Sequence, residues 1–260
     1  MEHERAAAES PELSLVMPCY DEEEAIQHTI PQLVAAFAQR GHRLELVACD
    51  NGSRDRTGEI IAGFAAAGLP VVPCRVAVNQ GYGHGILCAI PLCRAPWIGF
   101  IPADGQVDAE DVVRLWEVVR HTHPPALGKV RRRFRMDGLV RKVVSIGYNA
   151  FVRVLWPRLR SIDINGVPKI VHRDTLRAAQ LTSKDFFLDP ELMIKAHALG
   201  VRVIEMNVFA RMRSSGCSHI RVGTCLEFMK NLLCFRCGGL ARWRRTLARS
   251  AADTTARAHR

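Results

Sequence analysis

The first half of the chain alternates between short apolar runs and longer segments with helical spacing. The apolar runs predict strands over Leu13–Met17, Leu44–Cys49, Leu69–Val76 and Trp97–Ile101. Helices are predicted between the strands, over Glu22–Gln39, Thr57–Ala67 and Gly83–Cys93. Strands that alternate with helices in this way are typical of a parallel sheet covered by helices. The pattern therefore predicts an α/β fold.

The second half of the chain follows a less regular pattern. Near Gly128 the alternation stops, and the sequence predicts an arginine-rich loop followed by a helix over Leu139–Val154. The remaining predicted elements are a strand, a helix and a strand, near Val167–Val171, Pro190–Leu199 and Val201–Val208. This half is expected to elaborate the fold of the first half.

The last part of the chain combines apolar residues with many arginines. Over Thr224–Cys237 the apolar positions recur at helical spacing beside Lys230 and Arg236, which predicts an amphipathic surface helix. From Ala241 onwards arginine, alanine, serine and threonine dominate. This tail is therefore expected to be poorly ordered or to lie along a membrane.

Charge divides the chain into two unlike halves. Residues 1–120 hold 9 basic and 17 acidic residues, a net charge of −8, whereas residues 121–260 hold 27 and 9, a net charge of +18. A basic half attracts phosphate groups of a nucleic acid, an anionic lipid or a substrate, although an ordinary solvated surface has the same composition. No segment interleaves aromatic and basic residues as a nucleic-acid-binding module does. A nucleic-acid partner is therefore not expected.

Neither an export signal nor a membrane span is expected from the sequence. The first residues are acidic and polar, unlike a signal peptide. The longest apolar stretches are interrupted by Arg153 and Lys230 and are shorter than the roughly 20 residues that a spanning helix needs. The cysteines are scattered in apolar segments, as free thiols are in a reducing compartment. We expect a cytoplasmic protein, in peripheral contact with the inner face of the membrane.

Polar residues that could carry chemistry follow each of the four predicted strands. In chain order they are Tyr20, Glu22, Asp50, Asn79, Asp104 and Gln106. In an open parallel sheet, ligands bind beyond the carboxyl ends of the strands. These residues are therefore expected to share one cleft.

Each loop offers groups that suit a nucleotide. Tyr20 presents a flat face for a base, and Glu22 can accept hydrogen bonds from base or ribose hydroxyls. Asp50 ends an apolar strand, where a carboxylate needs a partner. The segment Asn79–Gly83 brings backbone close to the cleft just before a helix N-terminus, which favours anions. Each feature alone is also compatible with an ordinary turn or an acidic first helical turn.

Taken together, five segments resemble the GT-A fold of family-2 glycosyltransferases. They are Val16-Met17-Pro18-Cys19-Tyr20-Asp21-Glu22-Glu23, Asp50-Asn51-Gly52-Ser53-Arg54-Asp55-Arg56-Thr57, Asn79-Gln80-Gly81-Tyr82-Gly83, Ala103-Asp104-Gly105-Gln106 and Arg213-Ser214-Ser215-Gly216-Cys217-Ser218. The chain resembles in particular the polyprenyl-phosphate sugar synthases of the dolichol-phosphate mannose synthase type. The resemblance implies a Rossmann-like domain, with a mainly parallel sheet flanked by helices and a C-terminal elaboration on the acceptor side.

The resemblance also implies how the chain is divided. A GT-A domain is expected over residues 13–222, with a nucleotide-sugar half at 13–120 and an acceptor half at 121–222. Residues 1–12 are expected to form a flexible N-terminus, and residues 223–260 the amphipathic helix and basic tail.

For the donor, the resemblance implies a UDP- or GDP-linked sugar. The residues carried over to this role are Pro18, Tyr20, Glu22, Asp50, Asn79, Gly83, Asp104 and Gln106. The family binds a divalent ion on the donor diphosphate with an Asp-x-Asp-x-Gln motif, and here Pro102 stands at the first aspartate. Asp104 and Gln106 are left as the expected ligands of Mg²⁺ or Mn²⁺. A metal held by a diphosphate needs only one or two protein carboxylates.

For the acceptor, the sequence leaves two chemistries open. Arginine forks suit phosphate oxygens, and the resemblance implies that arginines in this part of the chain hold the acceptor phosphate. The residues expected in this role are Arg131, Arg141, Arg213 and Ser218, although most of the run Arg131–Arg135 could be solvated surface. A hydroxyl acceptor would instead need a general base. Asp189 and Glu191 are the candidates for that base, and they could also merely stabilise a helix start.

The expected reaction is an inverting sugar transfer. The acceptor oxygen displaces the nucleoside diphosphate from the anomeric carbon in one step, and metal and arginine stabilise the leaving-group charge. The residues expected to act in this step are Asp104, Arg213, Asp189 and Glu191. The favoured acceptor is a polyprenyl phosphate; the alternative is a soluble glycosyltransferase acting on a hydroxyl of a small molecule.

Overall fold

The chain folds around one seven-stranded sheet. The structure, a computed structural model, describes residues 10–135, 139–159, 161–210 and 229–258. The strands are β1 Leu13–Cys19, β2 Leu44–Asn51, β3 Val71–Val76, β4 Trp97–Phe100, β5 Leu127–Arg135, β6 Lys169–His172 and β7 Val203–Ala210. The helices are α1 Glu23–Gln39, α2 Thr57–Ala66, α3 Tyr82–Ala89, α4 Ala109–Val119, α5 Leu139–Leu155, α6 Arg173–Ala179, α7 Leu188–Ala198 and α8 Leu240–Ala258.

The order of the strands is β3-β2-β1-β4-β6-β5-β7. The first four strands of the chain are parallel neighbours, β6 runs antiparallel to β4 and β5, and β7 is parallel to β5. The predicted α/β fold with a mainly parallel sheet is confirmed. The carboxyl ends of β1 to β4 consequently open onto one edge of the sheet.

Helices bury both faces of the sheet. On one face, α1 and α4 contribute the fully or almost fully buried side chains of Phe37 and Trp116 to a first core. On the other face, α3, α5, α6 and α7 pack against a second core that includes Phe100. Removing aromatic surface of this size from water is a large favourable term in folding. The edge that carries the loops therefore rests on a rigid base.

The arginine-rich segment is a strand, which corrects the predicted loop. Arg131 and Arg135 lie on β5 and are in register with Asn207 and Ala210 of β7. Beyond Lys129, β5 has no pairing with β6 and continues as a ribbon with β7. A strand paired on one side has room for charged side chains that a central strand would exclude. The charge of the run concealed its strand structure.

The end of the chain also differs from the expectation. The expected poorly ordered tail forms the helix α8, which follows helical residues 229–234 and a wider π-helical turn at Phe235–Gly239. Trp243 is 7% exposed, and its ring N–H donates to the carbonyl of Ala178 at 3.3 Å. Leu232 is fully buried in the second core. Within the described ranges, no helix is long and apolar enough to cross a bilayer.

Candidate active site

The loops after β1 and β2 are fastened to each other at the sheet edge. The backbone N–H of Arg54 donates to Asp21 Oδ1 at 2.7 Å, and the N–H of Glu23 donates to Asp55 Oδ2 at 3.0 Å. The N–H of Glu22 donates to Thr57 Oγ1 at 3.0 Å. Because bonds run in both directions, the two loops form one rigid unit. The half-buried side chains of Pro18, Tyr20 and Glu22 belong to this unit.

Asp55 takes the ionised form in this unit. Burial raises the pKa of its carboxyl, but hydrogen bonds from Thr57 and from the N–H of Glu23 outweigh burial and hold the pKa below its ordinary value. One of those bonds runs from the N–H of Thr57 to Asp55 Oδ1 at 3.0 Å. The side chain thereby accepts from a backbone N–H at the start of α2 that has no partner within the helix.

Asp50 is held in a fixed orientation near the end of β2. Its side chain is buried, and Oδ1 accepts from the N–H of Ser53 at 2.9 Å. Its other oxygen lies 4.0 Å from Nε of the exposed Arg75. A Cβ placed on Gly58 would lie 2.6 Å from Oδ2, so the carboxylate fits only against a glycine at the start of α2. The turn at Asn51-Gly52-Ser53 therefore fixes the orientation of the carboxylate.

The glycine-rich segment after β3 is ordered by two asparagines. Asn79 Oδ1 accepts from the N–H of Gly81 at 2.8 Å, and Asn51 Nδ2 donates to the carbonyl of Gly81 at 3.0 Å. Gly81 has φ of 113°, a conformation that favours glycine. Gly83 is buried against the backbone of residues 183–185, where a Cβ would clash. Gly83 is therefore needed for packing against that segment, and a donor contact at Gly83 stays a prediction.

Asp104 lies directly beyond β4 and is 5% exposed. Its Oδ1 accepts from the N–H of Gln106 at 3.2 Å, in a tight turn where Gly105 has φ of 65°. Gln106 is half-buried beside it. The parallel pairing of β1 with both β2 and β4 brings this turn to the same sheet edge as Asp50. The edge thus combines a carboxylate at each of two strand ends.

The predicted phosphate-binding arginines are only partly described. Arg131 is half-buried on β5, and Arg141 lies on α5. Arg213 and Ser218 lie outside the described residues. Their roles in binding an acceptor stay predictions.

Asp189 forms a buried ion pair at the start of α7. Lys169 Nζ lies 2.6 Å from Asp189 Oδ1, and the two residues are 0% and 5% exposed. Burial lowers the pKa of Lys169 to about 8, although the charge of Asp189 opposes that change. A buried cation is costly in free energy unless an opposite charge lies beside it, so the carboxylate of Asp189 stabilises the charge on Lys169. The ion pair therefore gives Asp189 a structural role.

Glu191, two residues further along α7, is fully buried and accepts several hydrogen bonds. Its oxygens accept from the N–H of Thr182 at 3.2 Å, from the N–H of Ser183 at 2.9 Å and from Lys195 Nζ at 2.6 Å. These bonds fix the segment before α7, the same segment that packs on Gly81 and Gly83. Glu191 thus connects α7 to the glycine-rich segment, and a role as a general base stays a prediction.

A further buried lysine, besides Lys169 and Lys195, was not anticipated from the sequence. Lys129 is fully buried on β5, and its Nζ lies 2.9 Å from Glu205 Oε1. Glu205 also accepts from Ser161 Oγ at 2.6 Å. Lys129 and Lys169 are neighbours in register across β5 and β6. The signal available in the sequence was a lysine beside apolar residues, as at Lys129 and Lys169, because a charge in a sheet core requires a partner.

The region that contains these loops matches a known protein family. A sequence model of Glycosyl transferase family 2 matches residues 14–187, which include all four strand-end loops. The chain belongs to this family. The matched region ends just before α7.

Curated relatives match parts of the chain. The undecaprenyl-phosphate 4-deoxy-4-formamido-L-arabinose transferase of Pectobacterium carotovorum subsp. carotovorum (strain PC1) is 31% identical over 143 residues, which are 54% of this chain and 43% of the relative. The chain therefore spans less than half the length of this relative. An uncharacterized glycosyltransferase of Mycobacterium tuberculosis (strain ATCC 25618 / H37Rv) is 29% identical over 212 residues, 80% of this chain and 89% of the relative.

Solved structures share the fold. The glucosyl-3-phosphoglycerate synthase of Mycobacterium tuberculosis, in complex with Mn²⁺, uridine diphosphate and phosphoglyceric acid, has a TM-score of 0.70 and 21% identity. The match covers 91% of this chain and 82% of that one. At this identity the likeness concerns the GT-A fold.

Proposed function

We propose that this protein transfers a sugar from a nucleoside-diphosphate donor to a phosphate-bearing acceptor, a polyprenyl phosphate. The observation that carries the proposal is the single sheet edge at which Asp50 and Asp104 are held by their own turns. Membership of family 2 and the undecaprenyl-phosphate substrate in the name of a relative support the same assignment. The transfer is inverting, with direct displacement of the diphosphate.

The chemistry of the loops suggests how the donor would lie along the sheet edge. The fixed carboxylate of Asp50 can accept from the N–H groups of a uracil or guanine edge, and Tyr20 offers a flat face to the same base. The glycine-rich segment lies next to Asp50 on the side away from β4, with Asn51 Nδ2 donating to the carbonyl of Gly81, so it can contact the base and ribose of the donor. Asp104 then lies on the side of the diphosphate, because β4 is the neighbour of β1 on the opposite side from β2.

The residues at Asp104 fit a divalent metal held jointly with the donor. A buried carboxylate and the amide oxygen of Gln106 are hard oxygen ligands of the kind that Mg²⁺ and Mn²⁺ prefer. Among the described residues, no group of three or more acidic, histidine or cysteine side chains could hold such an ion. The metal would therefore depend on the donor's phosphate oxygens. When bound, it would stabilise charge on the leaving diphosphate.

The contacts of α7 favour phosphate over hydroxyl as the acceptor. A hydroxyl needs a carboxylate that can take its proton, whereas a phosphate is already ionised and needs positive charge. Both carboxylates considered for the base are buried beside lysines, at Lys169–Asp189 and Lys195–Glu191. The basic character of residues 121–260 supports phosphate binding.

Nucleotide binding is the first expected result of this proposal. UDP or GDP with Mn²⁺ should raise the melting temperature by roughly 5 °C or more at a hundredfold excess over Kd, because a ligand stabilises the native state by mass action. ADP with Mn²⁺ is the matched control, since it has the same diphosphate and a different base. Asp50→Ala should remove the shift. An equal shift with ADP, or no shift with any of the three, would contradict a donor site at this edge.

A peripheral membrane contact is also proposed. On the helical segment 229–239, Met229 and Leu233 are exposed beside Lys230 and Arg236. Arg236 Nε donates to the carbonyl of Leu155 at 3.1 Å, which places this segment against the end of α5, where Val154 is 75% exposed. Apolar and basic side chains together favour an anionic lipid surface.

Vesicle sedimentation tests this contact. The protein should sediment with vesicles that contain phosphatidylglycerol and should be released at high salt, because each basic residue near the surface contributes about 1 kcal/mol that salt screens. Leu233→Asp should weaken the binding, whereas Leu92→Asp should not, since Leu92 is equally exposed but lies in the acidic half. Equal recovery in the supernatant with anionic and neutral vesicles would argue against the placement.

A further inference from the structure

One short segment connects the glycine-rich segment to the helical residues 229–258, which we call the C-terminal helix. We call residues 182–187, which precede α7, the bridging segment. On one side, the N–H of His84 donates to the carbonyl of Lys184 at 2.8 Å, and Lys184 Nζ donates to Gln80 Oε1 at 3.0 Å. The rings of Tyr82 and Phe186 stack with centroids 5.2 Å apart. Contacts of three kinds therefore fix the bridging segment to the loop after β3.

This side of the contact leaves no slack. A Cβ on Gly81 would clash with the carbonyl of Lys184, and one on Gly83 would clash with the carbonyl of Ser183. Backbone thus lies directly on backbone, and packed groups at such distances transmit a displacement. If the bridging segment shifts, the glycine-rich segment has to shift with it.

The other side of the bridging segment contacts the helical residues 229–239. Asn231 Nδ2 donates to Asp185 Oδ2 at 2.9 Å, and the rings of Phe187 and Phe235 meet edge to face at 5.5 Å. Asp185 Oδ1 accepts from the N–H of Phe187 at 2.8 Å, so this side chain also shapes the segment itself. The helix is therefore joined to the bridging segment by one polar and one aromatic contact.

These contacts are local, because the helix and the bridging segment are not packed along their whole length. A cavity of about 310 Å³ lies between them, and it is lined by residues that include Ser183, Asn231 and Arg242. Asn231 is the polar member of this pair and is only half-buried, so it can be changed without opening the core.

We propose that Asn231 and Phe235 are positioning residues for the nucleotide-sugar donor. The C-terminal helix holds the bridging segment against Gly81 and Gly83, and it thereby sets the geometry of the loop after β3, which lies beside Asp50 on the donor side of the sheet edge. The inference rests on the proposed function, because it assumes that the donor binds at the loop after β3. It gives the C-terminal helix a role in donor affinity that is separate from contact with a membrane.

Asn231→Asp is the most direct test. It places a second carboxylate against Asp185 at hydrogen-bond distance, so it should push the bridging segment away from the helix. The Kd for UDP or GDP with Mn²⁺, measured by calorimetry without membranes, should rise about three- to tenfold, the size expected for one lost hydrogen bond. The KM for the acceptor should stay within about twofold, since a free-energy change of that size is local. Ala248→Asp, at an exposed position of α8, adds the same charge away from the bridging segment; it is the matched control and should leave the Kd unchanged.

Reversing the pair gives a rescue that a general loss of stability would not show. In Asp185→Asn with Asn231→Asp, the amide and the carboxylate exchange places, and the amide at position 185 keeps an oxygen for the N–H of Phe187. The double variant should return the Kd to within about twofold of wild type, because a restored pair cancels the two single effects. An unchanged Kd in Asn231→Asp, an absent rescue, or equal changes in donor and acceptor constants would overturn the inference. If the wild-type protein binds no nucleoside diphosphate, the proposed function fails instead.

Discussion

Asp104→Asn is expected to abolish sugar transfer while leaving the fold intact. Asp104 is the carboxylate that the family resemblance assigns to the metal, and it lies buried in the loop just beyond β4. Asparagine keeps the oxygen that accepts from the N–H of Gln106 but removes the negative charge. The initial rate should fall at least about a hundredfold, as it does when one main electrostatic contact to the reacting groups is lost. The melting temperature without ligand should stay close to that of wild type.

Asp108→Asn is the matched control for this variant. Asp108 begins α4 four residues later, where Oδ1 accepts from the N–H of Glu110 at 3.2 Å. Asparagine caps a helix about as well as aspartate, so this variant should keep its activity. Near-native activity in Asp104→Asn, or full activity of wild type in the presence of a chelator, would remove Asp104 from the metal role.

Pro102→Asp tests the same site in the opposite direction. The family carries an aspartate at this position, and the proline leaves Asp104 and Gln106 as the protein's expected ligands. A second carboxylate should lower the Mn²⁺ concentration that gives half-maximal activity, because each added carboxylate strengthens a hard-cation site. An unchanged metal requirement would indicate that position 102 faces away from the metal.

The residues at the strand ends could be predicted because a local pattern determines their place. Asp50 and Asp104 each follow an apolar run, and the parallel pairing of β1 with β2 and β4 brings them to one edge. The rule that parallel strands open their carboxyl ends to ligands needs no knowledge of distant contacts. The prediction that these loops share one edge of the sheet therefore agreed with the fold.

The structure of residues 121–210 was harder to predict because its contacts join residues that are far apart in the sequence. Lys129 and Glu205 are 76 positions apart and meet only because β5 pairs with β7. The arginines of β5 suggested a loop, since strand propensity is judged from apolar residues and the ribbon tolerates charge. The position of β6 between β4 and β5, antiparallel to both, depends on pairing between distant segments and not on a local sequence pattern.

The C-terminal helix shows a similar limit. The arginine-rich composition from Ala241 onwards suggested a tail that is poorly ordered or lies along a membrane, yet Trp243 is buried against the domain. Lys195 Nζ lies 5.6 Å from the centre of the Trp243 ring, a cation–π contact that only the folded chain creates. Composition describes the average of a segment, whereas a few buried side chains decide where it docks.

The acceptor class should be decided by variants that make opposite demands. If the acceptor is a polyprenyl phosphate, Arg213→Ala should reduce transfer at least about a hundredfold, because a charged phosphate loses its counter-charge. Arg213 lies outside the described residues, so its role comes from the family resemblance alone. Glu191→Gln should keep a substantial fraction of activity per folded molecule. Its single oxygen can accept from the N–H groups of Thr182 and Ser183, but the buried Lys195 loses its partner carboxylate, so this variant needs the same control for stability as Asp189→Asn.

Asp189→Asn needs a control for stability, because it leaves Lys169 buried without its partner carboxylate. Removing one member of a buried ion pair typically costs roughly 3–5 kcal/mol. Asp189→Asn with Lys169→Met removes both charges and should recover much of that loss. Activity is then expressed per folded molecule, at a temperature well below the melting transition of each variant.

Transfer of radiolabelled sugar to a short polyprenyl phosphate compares these variants under the same donor and metal. We expect Arg213→Ala to be nearly inactive, and both Asp189→Asn and the charge-free double variant to keep a substantial fraction of wild-type transfer. The reason is that an ionised phosphate attacks without losing a proton, so no carboxylate has to act as a base. Activity in Arg213→Ala together with no activity in either Asp189 variant would identify Asp189 as the base. If wild type transfers no sugar to the polyprenyl phosphate with any donor, a hydroxyl-bearing small molecule replaces it as the proposed acceptor.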